Sequence, residues 1–263
     1  MRLAVAATAP FGADVLERLA ANHEITALLT RPDAPRGRGR RPGPPAAKEA
    51  AERLGIPVLQ PPRPESGMAL GADTVVVAAY GLLIPEDVLF EQLWLNVHPS
   101  LLPRWRGAAP VERAIMAGDT QTGVTIHQTV KALDAGPVAA QQAFPIGEDD
   151  DAGTVYAKAA PLAAELLDGV LPQPRFTPQD EEGVTYAEKI TAADRTLDWS
   201  RPPEVLLRQI RALSPHIGAR GDVEGRPMTI WRARLDEGKL VPVEVQPDGR
   251  RRMAYDEFLR GLR

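Results

Sequence analysis

The sequence contains no cysteine, so disulfide bonds and thiolate ligands for a metal ion are both excluded. Histidine is scarce as well, and its four residues are scattered along the chain, which argues against a structural zinc site. No apolar stretch approaches the roughly 20 residues that a membrane-spanning helix needs, and the apolar run at the N-terminus is too brief for the core of a signal peptide. We therefore expect a cytoplasmic protein that contains no metal and does not bind a membrane.

Two glycine motifs that hold phosphate groups are also missing. The loop at residues 7–12, after the first predicted strand, lacks the three-glycine spacing that lets a backbone approach a dinucleotide pyrophosphate. The pattern GxxxxGK[ST] does not occur anywhere in the chain. These absences disfavour a nucleotide-dependent dehydrogenase and an enzyme of phosphoryl transfer.

What the sequence does contain is enough apolar material for a full-sized core. It has 263 residues, of which 44% are hydrophobic and 25% charged, and it is long enough for one large domain or two modest ones. The valine-rich run at 74–80 is typical of a strand that is buried on both faces of a parallel sheet.

Strands and helices alternate through the first two-thirds of the chain. The apolar periodicity predicts strands at 2–7, 24–30, 74–80 and 93–98, helices at 11–21, 45–55, 85–92 and 108–118, and a hairpin of strands 123–129 and 138–146. This alternation indicates an α/β fold in which helices cover both faces of an open, mainly parallel, twisted sheet.

The pattern changes in the last third of the chain. A helix is predicted at 152–171, and Pro161 should kink or split it. The polar, proline-rich segment 172–183 is typical of a linker. One helix and several short alternating segments follow, which indicate a small second domain that is predominantly β.

We accordingly divide the chain into a first domain at 1–175, a linker at 176–195 and a second domain at 196–263. The helix of the second domain is predicted at 203–213, and its clearest strand-like segments lie between residues 226 and 245. No internal repeat is apparent in the sequence.

Charge is distributed unevenly around a formal net charge of −4. The segment from Arg31 to Lys48 carries six basic residues and one acidic residue, a local charge of +5. From Asp194 to the C-terminus there are 14 basic and 11 acidic residues. An acidic body with a basic segment and a mildly basic tail suggests a polyanionic partner held at two places. Because residues 31–44 are rich in glycine and proline, we expect them to lack regular structure until they bind phosphates and unpaired bases.

A polar constellation is predicted beyond the carboxyl ends of the strands, where open α/β proteins bind their ligands. Asn96 and His98 are two residues apart at the end of a strand, so their side chains point to the same side. A carboxamide and a neutral imidazole can donate hydrogen bonds to an oxygen that becomes anionic during acyl transfer. Asp134, in the loop of the predicted hairpin, can orient His98 or accept a proton through water. The alternative is a buried, hydrogen-bonded histidine beside a turn-forming asparagine.

The segment NVHPSLLPRWRGAAP (96–110), followed about thirty residues later by LDAGP, resembles the signature of enzymes that transfer a formyl group from 10-formyltetrahydrofolate. The pattern Asn-x-His-x-Ser-Leu-Leu-Pro-x-x-x-Gly is matched by Asn96, His98, Ser100, Leu101, Leu102, Pro103 and Gly107. Within that superfamily the chain resembles the methionyl-tRNA formyltransferase family in RPDAPRGRGR (31–40), VVVAAYGLLIP (75–85), RGAAPVERAIMAGD (106–119), TGVTIHQ (122–128), VTYAEKIT (184–191) and LDWS (197–200). The resemblance covers nearly the whole chain.

The resemblance implies roles for individual residues. It assigns catalysis to Asn96, His98 and Asp134. It assigns the folate pocket to Tyr80, Gly81, Leu82, Ile84 and Pro85, with Ser100, Leu101, Leu102 and Pro103 of the signature. It assigns contact with tRNA to the basic segment, through Arg36, Arg38, Arg40 and Arg41, and it implies that the second domain is a small barrel of the oligonucleotide-binding (OB-like) type.

The implied reaction is transfer of the formyl group to the α-amino group of methionine on initiator tRNA. The implied partners are this tRNA and the folate donor, and we expect a monomer. The chain departs from the family near its C-terminus, where residues 236–253 are shorter than usual by about two strands, so the barrel is expected to be truncated.

Two other functions stay open from the sequence. A formyltransferase that acts on a nucleotide-linked amino sugar would share the Asn, His and Asp set, although it has no need of an arginine-rich segment after the second strand. The shortened second domain is also compatible with a non-catalytic RNA- or folate-binding relative.

Overall fold

The computed structural model describes residues 1–36, 41–171 and 173–262, which form two compact units. The first unit comprises Met1–Ala108, Gly123–Ala143 and Ala157–Tyr186, and the second comprises Ala109–Thr122, Phe144–Tyr156 and Ala187–Arg263. None of the helices in the described ranges combines the length and the hydropathy that a membrane span requires. The domain boundaries at residues 175 and 196 stay a prediction.

The first unit is built on a sheet of seven strands among the described residues. Its strands are β1 (Arg2–Ala7), β2 (Glu24–Leu29), β5 (Val58–Leu59), β6 (Thr74–Ala78), β7 (Leu93–His98), β9 (Gln121–Gln128) and β10 (Val138–Pro145). The order in the sheet is β10-β9-β7-β6-β1-β2-β5. Leu3 to Ala7 and Val75 to Val76 are fully buried, as the run of valines predicts for strands covered on both faces.

The sheet is mainly parallel, which confirms the predicted fold class. Strands β7, β6, β1, β2 and β5 are parallel in neighbouring pairs, whereas β9 runs antiparallel to β7. The chain order reverses between β1 and β6, because β2 and β5 lie on one side of β1 and β6 and β7 on the other. Ligands of open α/β sheets bind at such a switch point, beyond the carboxyl ends of the strands. The loops after β1 and β6 meet there, where the Thr8 hydroxyl donates to the Tyr80 carbonyl (2.7 Å).

Helices of the first unit and the connecting helices agree with the predicted alternation, with two differences. They are α1 (Pro10–Asn22), α2 (Ala46–Arg53), α3 (Glu86–Leu89) and α5 (Ala152–Val170). The helix predicted at 85–92 is shortened to α3, because the chain must turn after Leu89 to enter β7, where the Leu93 amide donates to the Asp73 carbonyl. Helix α5 continues through Pro161 and is not split, and the full burial of Ala159, Ala163 and Leu167 offsets the missing hydrogen bond.

The basic segment was expected to lack regular structure, and this expectation is wrong at its two ends. The strands β3 (Ala34–Arg36) and β4 (Arg41–Gly43) pair as a short antiparallel hairpin. Pro35 lies opposite Pro42. Because proline has no amide hydrogen, two prolines fit a ladder only where they face one another without a hydrogen bond, as in alternate pairs of an antiparallel ladder.

The second unit holds a small antiparallel sheet and four helices in its described part. Its elements are α4 (Pro110–Ala117), α6 (Ala192–Arg195), α7 (Pro203–Leu213), α8 (Tyr255–Arg260) and the strands β12 (Ala219–Val223), β13 (Arg226–Asp236), β14 (Lys239–Pro247) and β15 (Met253–Ala254). Two further strands of two residues each, β8 (Arg106–Gly107) and β11 (Tyr186–Ala187), lie outside this sheet. Leu206, Ile210, Met228, Ile230 and Val245 form the core of this unit. Strands β12 to β15 form an antiparallel sheet in the order β12-β13-β14-β15, and its relation to a five-stranded oligonucleotide-binding barrel stays a prediction.

Helix α1 begins close to the sheet, and Gly12 makes this approach possible. A Cβ atom at Gly12 would overlap the backbone carbonyl oxygen of Ala78 at the end of β6 and the Ala7 side chain. We expect Gly12→Ala to lower the free energy of unfolding by about 1–3 kcal/mol, the usual cost of overpacking a core. The measurement is the midpoint of urea denaturation.

The matched control is Gly169→Ala, which makes the same change in a helix where nothing lies within 4 Å of the added methyl group. We expect this variant to be unchanged, or more stable by up to about 1 kcal/mol because alanine is the better helix former. Equal midpoints for the two variants would contradict the close approach of α1 to β6.

Candidate active site

Strand β7 brings Asn96 and His98 to the carboxyl edge of the sheet on one face. In the antiparallel ladder with β9, Asn96 lies opposite His127 and His98 lies opposite Thr125. Residues opposite one another in a ladder share a face, and so do residues two apart on a strand. The four side chains therefore project from the same face.

Asp134 joins this group from the loop between β9 and β10. Its carboxylate accepts a hydrogen bond from Asn96 Nδ2 at Oδ1 (3.1 Å) and another from the Gly107 amide at Oδ2 (2.8 Å). The side chain is only 9% exposed. A carboxylate so far removed from water is tolerated when fixed donors replace its hydration.

His98 is buried and held in one orientation. Its Nε2 lies 2.7 Å from the Trp105 carbonyl oxygen, and because that oxygen only accepts, Nε2 carries the hydrogen. Its Nδ1 faces Asp134 Oδ2 at 3.6 Å. The structure thus brings Asn96, His98 and Asp134 together, and it directs the Nε2 hydrogen of His98 to the protein backbone.

His127 is a member of the site that the sequence reasoning missed. Its Nδ1 lies 3.0 Å from the Gln128 carbonyl oxygen, and its Nε2 faces Asp134 Oδ1 at 3.7 Å. Burial lowers the pKa of His127 to about 4, with His98 and Arg106 acting in the same direction and Asp134 opposing them. The strand predicted at 123–129 already put Thr125 and His127 on one face, but the register against β7 cannot be read from the sequence.

The turn after β7, which contains the signature residues 100–103, is tied to β9 by buried hydrogen bonds. The Thr125 hydroxyl donates to the Ser100 carbonyl (2.6 Å) and accepts from the Leu102 amide (3.2 Å). Gln141 Nε2 donates to the Leu102 carbonyl (2.9 Å), and the Ser100 hydroxyl donates to the Arg104 carbonyl (2.7 Å). Ser100 is fully buried, so these contacts hold the turn in shape.

A second missed residue, Gln179, braces the Asp134 loop. Its Nε2 donates to the carbonyl oxygens of Asp134 and Gly136 (both 2.8 Å), and its Oε1 accepts from Arg106 Nε (3.0 Å) and Nη2 (2.7 Å). Gln179 lies in the proline-rich segment interpreted as a linker. That segment is attached to the first unit, because Thr177 also forms a β-bridge with Val138.

The loop predicted to bind folate is partly core and partly exposed. Tyr80 and Ile84 are buried in a hydrophobic cluster with Val88 and Trp94. Gly81 has a φ of +76° and is exposed, Leu82 is half-buried, and Pro85 leads into α3. Burial raises the pKa of Tyr80 to about 12, and its hydroxyl has no hydrogen-bond partner among the described residues.

The four arginines predicted to contact tRNA are described only in part. Arg36 and Arg41 are opposite one another in the β3–β4 hairpin. Arg38 and Arg40 lie outside the described residues. The hairpin follows β2, so it leaves the sheet at the carboxyl edge, where His98 also lies.

Three of the five non-glycine residues with a positive φ in the described ranges lie in the loops of this site. Ala79, Trp105 and Asp134 have φ values of +46°, +65° and +46°, in the left-handed region that costs a residue with a side chain of order 1–3 kcal/mol. Ala79 follows β6, Trp105 supplies the carbonyl that accepts from His98, and Asp134 is the buried carboxylate. Such strain is typical of functional sites, where surrounding bonds hold the backbone in place.

The depressed pKa of His127 predicts a particular dependence of stability on pH. In the unfolded chain the imidazole gains a proton below about pH 6.5, whereas in the folded chain it does so only near pH 4. The unfolded state therefore binds more protons in this window, and stability falls as the pH is lowered from about 6.5 to 4. Relative to His127→Gln, the unchanged protein should lose on the order of 3 kcal/mol more across it.

Urea denaturation at a series of pH values measures this difference. The control is His216→Gln, which removes an exposed histidine of the second unit and should leave the pH dependence as it was. If His127→Gln and the unchanged protein lose stability in parallel between pH 7 and 4, His127 is not held neutral by its surroundings.

Comparison with known proteins shows the family to which the chain belongs. Residues 1–171 match the family described as formyl transferase, and residues 189–241 match the formyl transferase C-terminal domain. A methionyl-tRNA formyltransferase of Cereibacter sphaeroides is 40% identical over 100% of this chain and 96% of its own length. One of Paracoccus denitrificans is 41% identical over 100% of this chain and 98% of its own.

Solved structures share the fold at lower identity. Methionyl-tRNA formyltransferase from Clostridium thermocellum has a TM-score of 0.64 and 14% identity, over 94% of this chain and 98% of that one. HypX from Aquifex aeolicus in complex with tetrahydrofolic acid has a TM-score of 0.69 and 19% identity, over 98% of this chain and 46% of that one. The resemblance read from the signature at 96–107 is thus confirmed over the whole length of the chain, which belongs to the formyl transferase family.

Proposed function

We propose that the chain transfers the formyl group of 10-formyltetrahydrofolate to the α-amino group of methionine esterified to initiator tRNA. The observation that carries this proposal is the Asp134 carboxylate, held by Asn96 and the Gly107 amide and facing Nδ1 of His98 at 3.6 Å. Relatives about 40% identical over the full chain bear the name methionyl-tRNA formyltransferase, which supports the same substrates.

The reaction exchanges one carbon–nitrogen bond for another. The neutral α-amine attacks the formyl carbon, a bond forms between them, and the bond from the formyl carbon to N10 of the folate breaks. The amine loses a proton and N10 gains one. The formyl oxygen becomes anionic between these events and needs a hydrogen-bond donor that is already in place.

Asn96 is suited to that donor role. Its Nδ2 carries two hydrogens, and the bond to Asp134 Oδ1 uses one and fixes the direction of the other. Asp134 thereby orients Asn96 as well as facing His98. A preorganised donor of this kind contributes about 10²–10³ to a rate, because it does not have to reorient when charge develops.

His98 and Asp134 are suited to proton transfer. With Nε2 bonded to the Trp105 carbonyl, Nδ1 is the ring position that exchanges a proton, and it lies on the side of Asp134. A proton taken from the attacking amine can move to this pair and then to the leaving N10. Both side chains lie at the carboxyl edge of the sheet, where open α/β proteins bind their ligands, and they are largely shielded from water.

Membership of the family supports a folate-derived formyl donor. The candidate pocket comprises the loop at residues 80–85 and the turn at 100–103, which adjoin β6 and β7 at the same edge as His98. Gly81, with its positive φ, allows the first of these loops to turn sharply after Tyr80. The hydrogen bonds to Thr125 hold the second against β9.

A direct assay tests the proposal against its alternatives. The full chain is incubated with 10-formyltetrahydrofolate and either initiator methionyl-tRNA or a nucleotide-linked amino sugar, and formylation of each acceptor is measured. Formyl-methionyl-tRNA alone supports the proposal. Formylation of the sugar alone favours the second kind of transferase, and transfer to neither acceptor would leave a binding protein without activity.

The catalytic roles predict the effect of two conservative variants. His98→Gln can keep a donor toward the Trp105 carbonyl but has no exchangeable ring proton, and Asp134→Asn keeps the shape of the carboxylate but not its charge. We expect each to lower kcat about a hundredfold or more, the usual size of acid–base and electrostatic contributions. The control is His23→Gln, because His23 is not part of this site and its ring is hydrogen-bonded to Asp168. Near-full activity in His98→Gln would remove the central role assigned to that residue.

The basic segment predicts how the tRNA is bound. Changing Arg36, Arg38, Arg40 and Arg41 together to glutamine should raise KM for tRNA steeply and leave KM for the folate unchanged. The slope of log affinity against log salt concentration should become shallower by about 3, because each lost phosphate contact removes roughly 0.7–0.9 of a counterion.

The matched control removes the same charge from exposed positions of the second unit, Arg226, Arg232, Arg250 and Arg251. A larger rise of KM in this control would mean that the C-terminal unit supplies most phosphate contacts. Equal kcat/KM for the first variant and the parent at about 0.15 M salt would show that the hairpin segment does not bind the tRNA.

A further inference from the structure

Three groups with free electron pairs converge in the active site. They are Nδ1 of His98, Nε2 of His127 and the carboxylate of Asp134, and one ligand atom from each lies within 4.8 Å of the others. The separation is 3.6 Å between His98 Nδ1 and Asp134 Oδ2, and 3.7 Å between His127 Nε2 and Asp134 Oδ1. Among the described residues, this trio is the cluster of histidine and carboxylate side chains that could hold a metal ion.

The two rings are oriented by bonds at their far sides. His98 Nε2 donates to the Trp105 carbonyl (2.7 Å) and His127 Nδ1 donates to the Gln128 carbonyl (3.0 Å). In a neutral ring the remaining nitrogen then carries a lone pair, and in both rings that nitrogen faces Asp134. A histidine that binds a metal usually donates its other ring hydrogen to a carbonyl or carboxylate, so both rings are already arranged as ligands.

His127 provides an independent sign that something is bound between these groups. The residue is 1% exposed, and its Nε2 has no hydrogen-bond partner among the described residues. A buried polar atom without a partner is rare and costs about 1–3 kcal/mol. Two nitrogen lone pairs and a carboxylate that face one another repel unless a positive charge lies between them.

We propose that His98, His127 and Asp134 form an inhibitory site for a divalent transition-metal ion, of which Zn²⁺ is the ion to test. Zinc binds imidazole nitrogen and carboxylate oxygen at about 2.0–2.2 Å with tetrahedral geometry, which puts its ligand atoms roughly 3.3 Å apart. The two nitrogen-to-oxygen separations, each to a different oxygen of Asp134, exceed this by a few tenths of an ångström. One atom from each residue lies within 4.8 Å of the others, so the side chains must draw closer together around the ion. Three protein ligands leave a fourth position of the ion for water or substrate.

Such an ion would inhibit the enzyme. It would occupy the ring nitrogen of His98 and the carboxylate of Asp134 that we assign to proton transfer, and this consequence rests on the proposed function. It would also compete with Asn96 for Asp134 Oδ1. The ion is therefore proposed as a reversible inhibitor and has no part in the formyl transfer.

Binding is tested with Co²⁺, which replaces Zn²⁺ and reports its coordination by visible absorption. The full chain, stripped of metal with a chelator, is titrated with Co²⁺ alone. We expect the intense bands of four-coordinate Co²⁺ to saturate at one equivalent, and excess Zn²⁺ to abolish them. A weak spectrum typical of six-coordinate Co²⁺ at all ratios would overturn the proposal.

Variants locate the ligands. His127→Leu removes one nitrogen and should weaken Co²⁺ binding by at least about tenfold, whereas His23→Gln, a histidine outside the cluster, should bind as the parent does. If His127→Leu does not fold, Asp134→Asn, which preserves the shape of the side chain, must lose the four-coordinate spectrum. Retention of that spectrum in Asp134→Asn contradicts the site.

Inhibition is measured separately from binding. Zn²⁺ should slow formyl transfer by the parent, a chelator should restore the rate, and the half-inhibitory concentration should rise at least about tenfold in His127→Leu, relative to that variant's own metal-free rate. Four-coordinate Co²⁺ in a chain that formylates no acceptor leaves the metal site standing and removes the proposed function. Transfer that Zn²⁺ does not inhibit, with no Co²⁺ bands, removes the metal site and leaves the function.

Discussion

Burial of the Asp134 carboxylate is the constraint on which the site depends. Two fixed donors satisfy it, the Asn96 amide and the Gly107 backbone amide. Both donors must be present. If one were missing, the buried carboxylate would cost more free energy of folding than a single hydrogen bond contributes. The chain meets this condition with a left-handed backbone at Asp134 and a glutamine, Gln179, that holds the loop by its carbonyl oxygens.

The sheet makes that arrangement possible because it brings separate segments to one edge. Strands β1, β2, β6 and β7 are parallel, so the loops that follow them leave on the same side. Their buried apolar residues fix the position of this edge. Strand β9, which is antiparallel to β7, contributes to the same face through its register and supplies Thr125 and His127. Asn96, His98 and His127 therefore lie on strands of the sheet, and Asp134 lies on a loop that Gln179 holds in place.

The sequence predicted the sheet well because burial leaves a clear mark on it. The apolar run at 74–80 and the alternation of strands and helices required a mainly parallel sheet, and the spacing of Asn96 and His98 required one face. The prediction that residues 31–44 lack regular structure was wrong at the two ends of that segment, because Pro35 and Pro42 oppose each other at a pair where the ladder needs no amide hydrogen. The length of α3 was also wrong, because the entry into β7 is a tertiary contact.

His127 and Gln179 were beyond sequence reasoning for a physical reason. The register between β7 and β9, two strands about thirty residues apart in the chain, decides whether His127 lies opposite Asn96. A shift of one residue in this register would turn the His127 side chain to the other face of the sheet. Gln179 acts through the backbone of a loop that lies some forty residues earlier in the chain. No local pattern encodes either contact.

The converging lone pairs of His98, His127 and Asp134 connect the proposed catalytic role of the site with its proposed inhibition by a metal ion. Formyl transfer needs a place where a proton can be held briefly and released, and a ring nitrogen that faces a carboxylate offers one. His127 Nε2 adds another lone pair but forms no hydrogen bond. A single proton can bridge only two of the three acceptors, which are the two ring nitrogens and the carboxylate. A divalent ion satisfies all three groups at once. The same geometry that suits a proton in transit would therefore also suit the proposed metal ion.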